Sequence, residues 1–293
     1  MTTRDLAGYR AVFVHAHPDD EAITTGGAIA DLARRGADVL VVTCTLGEEG
    51  EVIGETYQHL VADEADQLGG FRTRELAASL RALRARGEYL GGAGRFRDSG
   101  MAGSPASRNP RALVNSGELA VELMAEILRR ERPQLVVTYG PDGGYGHPDH
   151  VRAHEIAHAA AKRAEVPRVL WAVRLASETA ALMPEVAPAG WRLPEEGELD
   201  GVAHSDVSIS LNDAAYSAKV ESMRAHATQL WIADGRVSET NPHAQLAQGP
   251  VIYYALSNLI VQPIQRVEHY QLGAGAPIAD PRDGLFGGLE RGF

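Results

Sequence analysis

Cysteine and lysine are nearly absent from this chain. The single cysteine, Cys44, rules out an intrachain disulfide and fits a reducing, cytoplasmic setting. It lies in an apolar run and reads as a small buried hydrophobe. Only two of the 28 basic residues are lysine, Lys162 and Lys219, a bias that reads as base composition rather than function. Acidic residues outnumber basic ones by 39 to 28, and the net charge of −11 argues against broad binding to nucleic acid or anionic membranes. A local basic patch stays open. No uninterrupted apolar run approaches the about 18 residues that span a bilayer. The stretch Met1–Gly8 has no signal-peptide core, and no repeats occur. No dinucleotide-type glycine fingerprint follows the first apolar run, which sets a nicotinamide cofactor aside. What remains is ordinary for a soluble globular protein: 44% hydrophobic and 23% charged residues over 293 positions, ample for a core.

Apolar runs alternate with helical spacing through the first half. Strands are predicted at Ala11–His15, Val39–Thr45, Glu88–Leu90, Leu135–Tyr139 and Arg168–Val173. Helices are predicted from the first strand's end to Arg35, with Gly36 as its cap, and at Asp63–Arg86, Gly117–Arg130 and Pro148–Ala164. Repeated βα units imply an α/β fold, a Rossmann-like, mostly parallel sheet flanked by helices. Residues 1–174 read as the catalytic core and residues 175–293 as a smaller C-terminal lobe that completes the fold and roofs the cleft. Within that lobe Asn212–Thr228 has helical spacing and Val267–Leu272 reads as a last strand. The Gly-rich tail from Gly273 is expected to be loosely held.

Two strand ends carry matching polar clusters. The first apolar run ends in His15-Ala16-His17-Pro18-Asp19-Asp20-Glu21, and the run at Leu135–Tyr139 leads to Tyr145-Gly146-His147-Pro148-Asp149-His150. Burying unpaired carboxylates costs several kcal/mol, roughly, so a positive partner belongs there. His17 and Asp20 can face one ion across a proline turn, and His147 and His150, also three apart, can face the same cleft. Three N/O ligands with one open position make the arrangement of a catalytic Zn²⁺, with Fe²⁺ or Co²⁺ also compatible. In open parallel sheets ligands bind at the carboxyl ends of strands, where both clusters fall. The plainer reading of Asp19 and Asp20 is helix capping. His150, His154 and His158 share one helix face, but His158 lies about 12 Å along the axis from His150, too far to share an ion.

These motifs resemble the LmbE-like, or N-acetylglucosaminyl-phosphatidylinositol deacetylase, superfamily of zinc-dependent deacetylases. The likeness is dense over about residues 11–160 and returns at Ala225–Gln229 and Glu268–Tyr270. Thr43–Gly54, Ala65–Gly70 and Tyr89–Met101 narrow it to the branch that removes acetyl from the N-acetylglucosaminyl-inositol precursor of mycothiol. The resemblance implies His17, Asp20 and His150 as metal ligands and Asp19 as general base. It implies His147 as general acid or oxyanion stabiliser, with Asp149 orienting its ring and raising its pKa, and Tyr145 as a carbonyl-polarising group. Arg72, Asp98 and Met101, and more weakly Glu51, match substrate-contacting positions, and the partner implied is a small acetylated amino sugar. A packing aromatic at Tyr145, a surface ion pair for Arg72 and Asp98 and a packing role for Met101 are the plainer readings.

Rival functions stay open at this stage. The related amidase of mycothiol S-conjugates carries a lysine where this chain has Thr24, and no lysine stands nearby to replace it, which favours the deacetylase. Deacetylation of another N-acetylglucosaminyl compound, a Mg²⁺-dependent phosphoesterase and a non-catalytic sugar-binding module are the others. Two histidine ligands suit Mg²⁺ poorly. The oligomeric state is not legible in the sequence.

Overall fold

The first apolar run, Arg10–His15, forms β1 near the middle of a seven-stranded sheet in the computed structural model, which describes residues 4–199 and 201–292. It is followed by α1 (Asp20–Arg34), β2 (Asp38–Thr43), α2 (Leu68–Leu83), β3 (Arg86–Tyr89), α3 (Gly117–Glu131), β4 (Leu135–Thr138), α4 (Pro148–Arg163), β5 (Arg168–Val173) and α5 (Ala176–Ala181). Then come β6 (Val207–Ser210), α6 (Asp213–Ala225), β7 (Trp231–Ala233), β8 (Tyr253–Ala255), β9 (Gln262–Pro263) and β10 (Val267–Gly275).

The large sheet has the order β3-β2-β1-β4-β5-β10-β6. Its first five strands are parallel, and β10 runs antiparallel between β5 and β6. Strands β7 to β9 form a separate antiparallel sheet. The inner parallel strands β1, β2 and β4 are buried on both faces, as their continuous apolar runs require, whereas the edge strand β3 is polar and partly exposed. Phe13, Val41 and Val137 face one core with Ile29, Leu80 and Met223. Val14, Val42 and Val136 face the other with Met124 and Ile156. Helices α1, α2 and α6 therefore cover one side, and α3 and α4 the other.

Crossovers from β1 lead outward to β2 and β3, whereas the chain then returns to place β4 on the opposite side of β1. The crevice beyond the carboxyl ends of β1 and β4 is thus a topological switch point, the place where open α/β sheets bind ligands. Both polar clusters lie there.

Two expectations need correcting. The helix predicted from Asp63 starts only at Leu68, because Asp66 takes a left-handed backbone (φ 52°) that a helix does not tolerate, and the buried Leu68 opens the run. Over its described residues, 273–292, the tail is packed rather than loose. Leu285, Phe286 and Leu289 are buried in the core, and the fully buried Arg168 donates to the carbonyls of Ala276, Pro277, Leu285 and Gly287. Those carbonyls satisfy a guanidinium whose burial unpaired would be destabilising. Among the described residues no helix is long and apolar enough to cross a membrane.

Candidate metal and hydrolytic site

His17 follows β1, Asp20 opens α1, and His150 lies in the first turn of α4, so three local motifs meet at the switch point. Their donor atoms are nearly equidistant. His17 Nδ1 is 3.5 Å from Asp20 Oδ2, His150 Nε2 is 3.4 Å from the same oxygen, and the two ring nitrogens are 3.3 Å apart. A tetrahedral ion with bonds of about 2.0–2.1 Å needs ligand atoms about 3.3–3.4 Å apart. This triangle fits. Two imidazole nitrogens and a carboxylate oxygen facing each other at these distances are a donor set able to hold a cation.

The outer contacts fix the same geometry. His17 Nε2 lies 3.2 Å from Asp149 Oδ2, and His150 Nδ1 lies 3.0 Å from the Gly143 carbonyl oxygen, each leaving the other ring nitrogen facing the triangle. Burial alone would lower the pKa of His17, but Asp98, Asp149 and Asp20 together hold it well above the ordinary value. Burial would raise Asp20, yet His150 and His17 keep it well below. A further group of nitrogens, from His17, His147 and His150, lies within 4.8 Å. His147 Nδ1, however, already accepts the Asp149 backbone N–H at 3.1 Å, and the tighter edges belong to the triangle through Asp20.

Asp19 stands beside this triangle without joining it. Its backbone has φ 114°, a conformation that costs a non-glycine residue of order 1–3 kcal/mol. Arg72 holds it: the buried guanidinium is 3.2 Å from Asp19 Oδ2 and donates to the carbonyls of Gly47, at 2.8 Å, and Pro18. Burial raises the Asp19 carboxyl to about 6 against the lowering effect of Arg72, close to the range in which a carboxylate exchanges protons near neutrality.

His147 caps α4 and lines the same cavity. Here the expectation for Asp149 changes. Its carboxylate turns to His17 and to the Ser99 N–H at 2.9 Å, and only its backbone orients His147. Nor is His147 raised: burial, with His17 and His150 adding to it, lowers its pKa to about 3. With Nδ1 accepting a backbone N–H, the neutral ring carries its proton on Nε2 and is a hydrogen-bond donor. Tyr145 is 57% exposed on a loop whose Gly143, Gly144 and Gly146 all have positive φ, and its ring meets His150 edge-on at 5.0 Å.

The residues matched to substrate contacts divide. Asp98 is buried and accepts from Glu49 N (3.2 Å) and Gly100 N (2.8 Å), with Oδ1 3.5 Å from His17 Nε2. Met101 is half exposed at the cavity wall, and Glu51 reaches across the mouth to Ser257 Oγ at 2.7 Å. All of them, with Arg72, line one cavity of about 980 Å³. Lys219 lines it too, distant in sequence from Thr24 but carried by α6 onto α1, with Nζ held by Glu268 at 2.6 Å.

Sequence reasoning missed Tyr139. Its hydroxyl donates to Asp20 Oδ2 at 2.6 Å and accepts from Ala16 N at 2.8 Å, while its ring stacks on His150 at 4.2 Å. Its signal was its place as the last residue of an apolar run leading into the second cluster. His15 and His154 serve elsewhere, on Thr25 Oγ1 and the Tyr139 carbonyl.

The family description PIG-L, GlcNAc-PI de-N-acetylase, matches residues 12–161. A 1D-myo-inositol 2-acetamido-2-deoxy-α-D-glucopyranoside deacetylase of Corynebacterium glutamicum is 60% identical, covering 99% of this chain and all of that one. The enzyme of the same name from Corynebacterium diphtheriae is 56% identical over 96% of this chain and 99% of its own. Among solved structures, a triple mutant of a deacetylase in the teicoplanin biosynthetic pathway is 25% identical and superposes with a TM-score of 0.51, covering 75% of this chain and 82% of that chain. By the family match and by full-length identity, the chain belongs to the PIG-L, or GlcNAc-PI de-N-acetylase, family.

Proposed function

We propose that this deacetylase hydrolyses the N-acetyl group of 1D-myo-inositol 2-acetamido-2-deoxy-α-D-glucopyranoside, the deacetylation step of mycothiol biosynthesis. The full-length likeness to enzymes of that name supports the substrate. The observation that carries the chemistry is the triangle of His17, Asp20 and His150 with Asp19 beside it. Two nitrogens and one oxygen favour Zn²⁺ as the resident ion, with Fe²⁺ or Co²⁺ acceptable to the same donors. A zinc ion supplies Lewis acidity, polarising an acyl carbonyl and acidifying water.

The side chains do the rest. Asp19 takes a proton from the attacking water, whose oxygen adds to the acyl carbon. His147, donating through Nε2, and Tyr145 from its loop stabilise the oxyanion that develops. The C–N bond then breaks, the nitrogen leaves with the transferred proton, and acetate and the free amine result. Arg72, Asp98, Met101 and Glu51 line the cavity that receives the sugar-inositol, Arg72 also fixing Asp19. Part of the segment after residue 174 roofs the cleft, a reading supported by Tyr254, Ile260 and Gln265 in the cavity wall, while β6, β10 and α6 complete the main sheet and its core. A cytoplasmic location goes with it, supported by the buried free thiol of Cys44.

Acetate release from three compounds tests the substrate: the inositol conjugate, free N-acetylglucosamine and a mycothiol S-conjugate. The inositol conjugate should exceed both others in kcat/KM by roughly tenfold or more, because binding energy from the remote ring is used at the reacting centre. Equal cleavage of free N-acetylglucosamine would leave a deacetylase of another substrate.

Tyr139→Phe tests how the site is held. Removing the hydroxyl leaves Asp20 Oδ2 with only the His17 N–H, at 3.0 Å, as donor among the described residues and orphans the Ala16 N–H, so zinc affinity measured by chelator competition should fall roughly 10- to 100-fold. Unchanged affinity would mean that Asp20 is oriented without it.

A further inference from the structure

The Pro18–Asp19 peptide is gripped at both ends by charged side chains. Arg72 donates to its carbonyl oxygen, and its N–H donates to Glu21 Oε2 at 2.9 Å. Glu21 points away from the cavity and is fully buried. Its other oxygen accepts from Ser79 Oγ at 2.5 Å and lies 2.7 Å from His226 Nε2. His226 is itself fully buried, and its Nδ1 has no partner, so Glu21 is its one side-chain hydrogen bond among the described residues. Glu75 secures the segment after His226 by accepting from Thr228 N and Thr228 Oγ1, at 2.9 and 2.8 Å.

Three helices thus converge on one strained peptide: α1 supplies Glu21, α2 supplies Arg72 and Ser79, and α6 ends at His226. Nothing in packing calls for such a group. A buried ion pair is commonly replaceable by apolar residues without loss of stability, so stability does not account for it. What it contacts at its far end is the N–H of Asp19, at φ 114°, a conformation that persists only when surroundings over-determine it.

We propose that Glu21, braced by Ser79 and His226, is a positioning residue that holds the Asp19 peptide in its left-handed conformation and so aims the Asp19 carboxylate. This rests on the assignment of Asp19 as the base. Glu21 touches neither the metal triangle nor the substrate, and it acts only through Asp19.

The test is a double-mutant cycle on the zinc-loaded enzyme, using Glu21→Leu, Asp19→Asn and the pair, with zinc content, kcat and KM measured for each. Glu21→Leu should lower kcat roughly 10- to 100-fold, with zinc content and KM little changed. In the Asp19→Asn background the same change should have almost no further effect, because the carboxylate it aimed is gone. Glu21→Gln, which keeps an acceptor for the Asp19 N–H and turns its amide toward Ser79 and His226, should recover most of the activity. If Glu21→Leu does not fold, Ser79→Ala takes its place in the cycle, with an expected drop of roughly 3- to 10-fold, again absent beside Asp19→Asn. Equal multiplicative losses in both backgrounds, or full kcat in Glu21→Leu, would overturn the proposal. Asp19→Asn at wild-type kcat would instead remove the base assignment itself, a distinct outcome.

Discussion

His150→Ala should leave the protein folded but almost without zinc at stoichiometric supply, with deacetylation near background. The alanine removes one corner of a triangle whose edges are 3.3 to 3.5 Å, and His17 and Asp20 alone cannot surround an ion. Structural zinc sites with four ligands bind with about 10–16 kcal/mol, so one ligand accounts for roughly 10²–10³ in affinity. The ring also stacks on Tyr139 and orients on Gly143, so part of the loss reflects loosening of the neighbours. Elemental analysis and chelator competition read the effect directly, and circular dichroism checks that the fold remains. Full occupancy at unchanged affinity would remove His150 from the ligand set.

Asp19→Asn should bind zinc as the parent does and lose roughly 10²–10⁴ in kcat. An asparagine amide keeps the size and can still face Arg72, but it cannot take a proton. The Asp19 carboxylate is outside the triangle, 3.2 Å from the Arg72 guanidinium, so metal affinity should not follow activity. KM should hold, because the lost interaction is made in the transition state. If kcat holds and KM rises instead, proton removal belongs to another group.

How much of this was legible in the sequence depended on distance along the chain. The βα alternation and the two His-Pro-Asp clusters are local patterns, and the parallel sheet with its switch point followed from them. The antiparallel insertion of β10 between β5 and β6 was not legible, since nothing in Val267–Gly275 marks its neighbours. Nor was the hydroxyl of Tyr139 on Asp20, or His226 on Glu21, because these partners meet only after folding. Asp149 shows a subtler limit. The resemblance implied that Asp149 orients His147, whereas helix geometry at the start of α4 turns the carboxylate to His17 and leaves His147 the backbone N–H. The tail misled for a similar reason: its glycines read as looseness, while Leu285, Phe286 and Leu289 carried the burial.

His17, Asp19, Asp20, Tyr145, His147 and His150 line one cavity, and the proposed division between those that hold zinc and those that face the reaction rests most directly on one measurement, the zinc affinity of His147→Ala. His147 Nδ1 is taken by the Asp149 N–H, and the triangle closes without it. The variant should therefore bind zinc as tightly as the parent while kcat falls by roughly 10²-fold or more, the loss of an oxyanion donor. Loss of zinc on the scale expected for His150→Ala would make His147 a ligand, and would contradict the assignment of Asp20 to the metal and of His147 to the substrate.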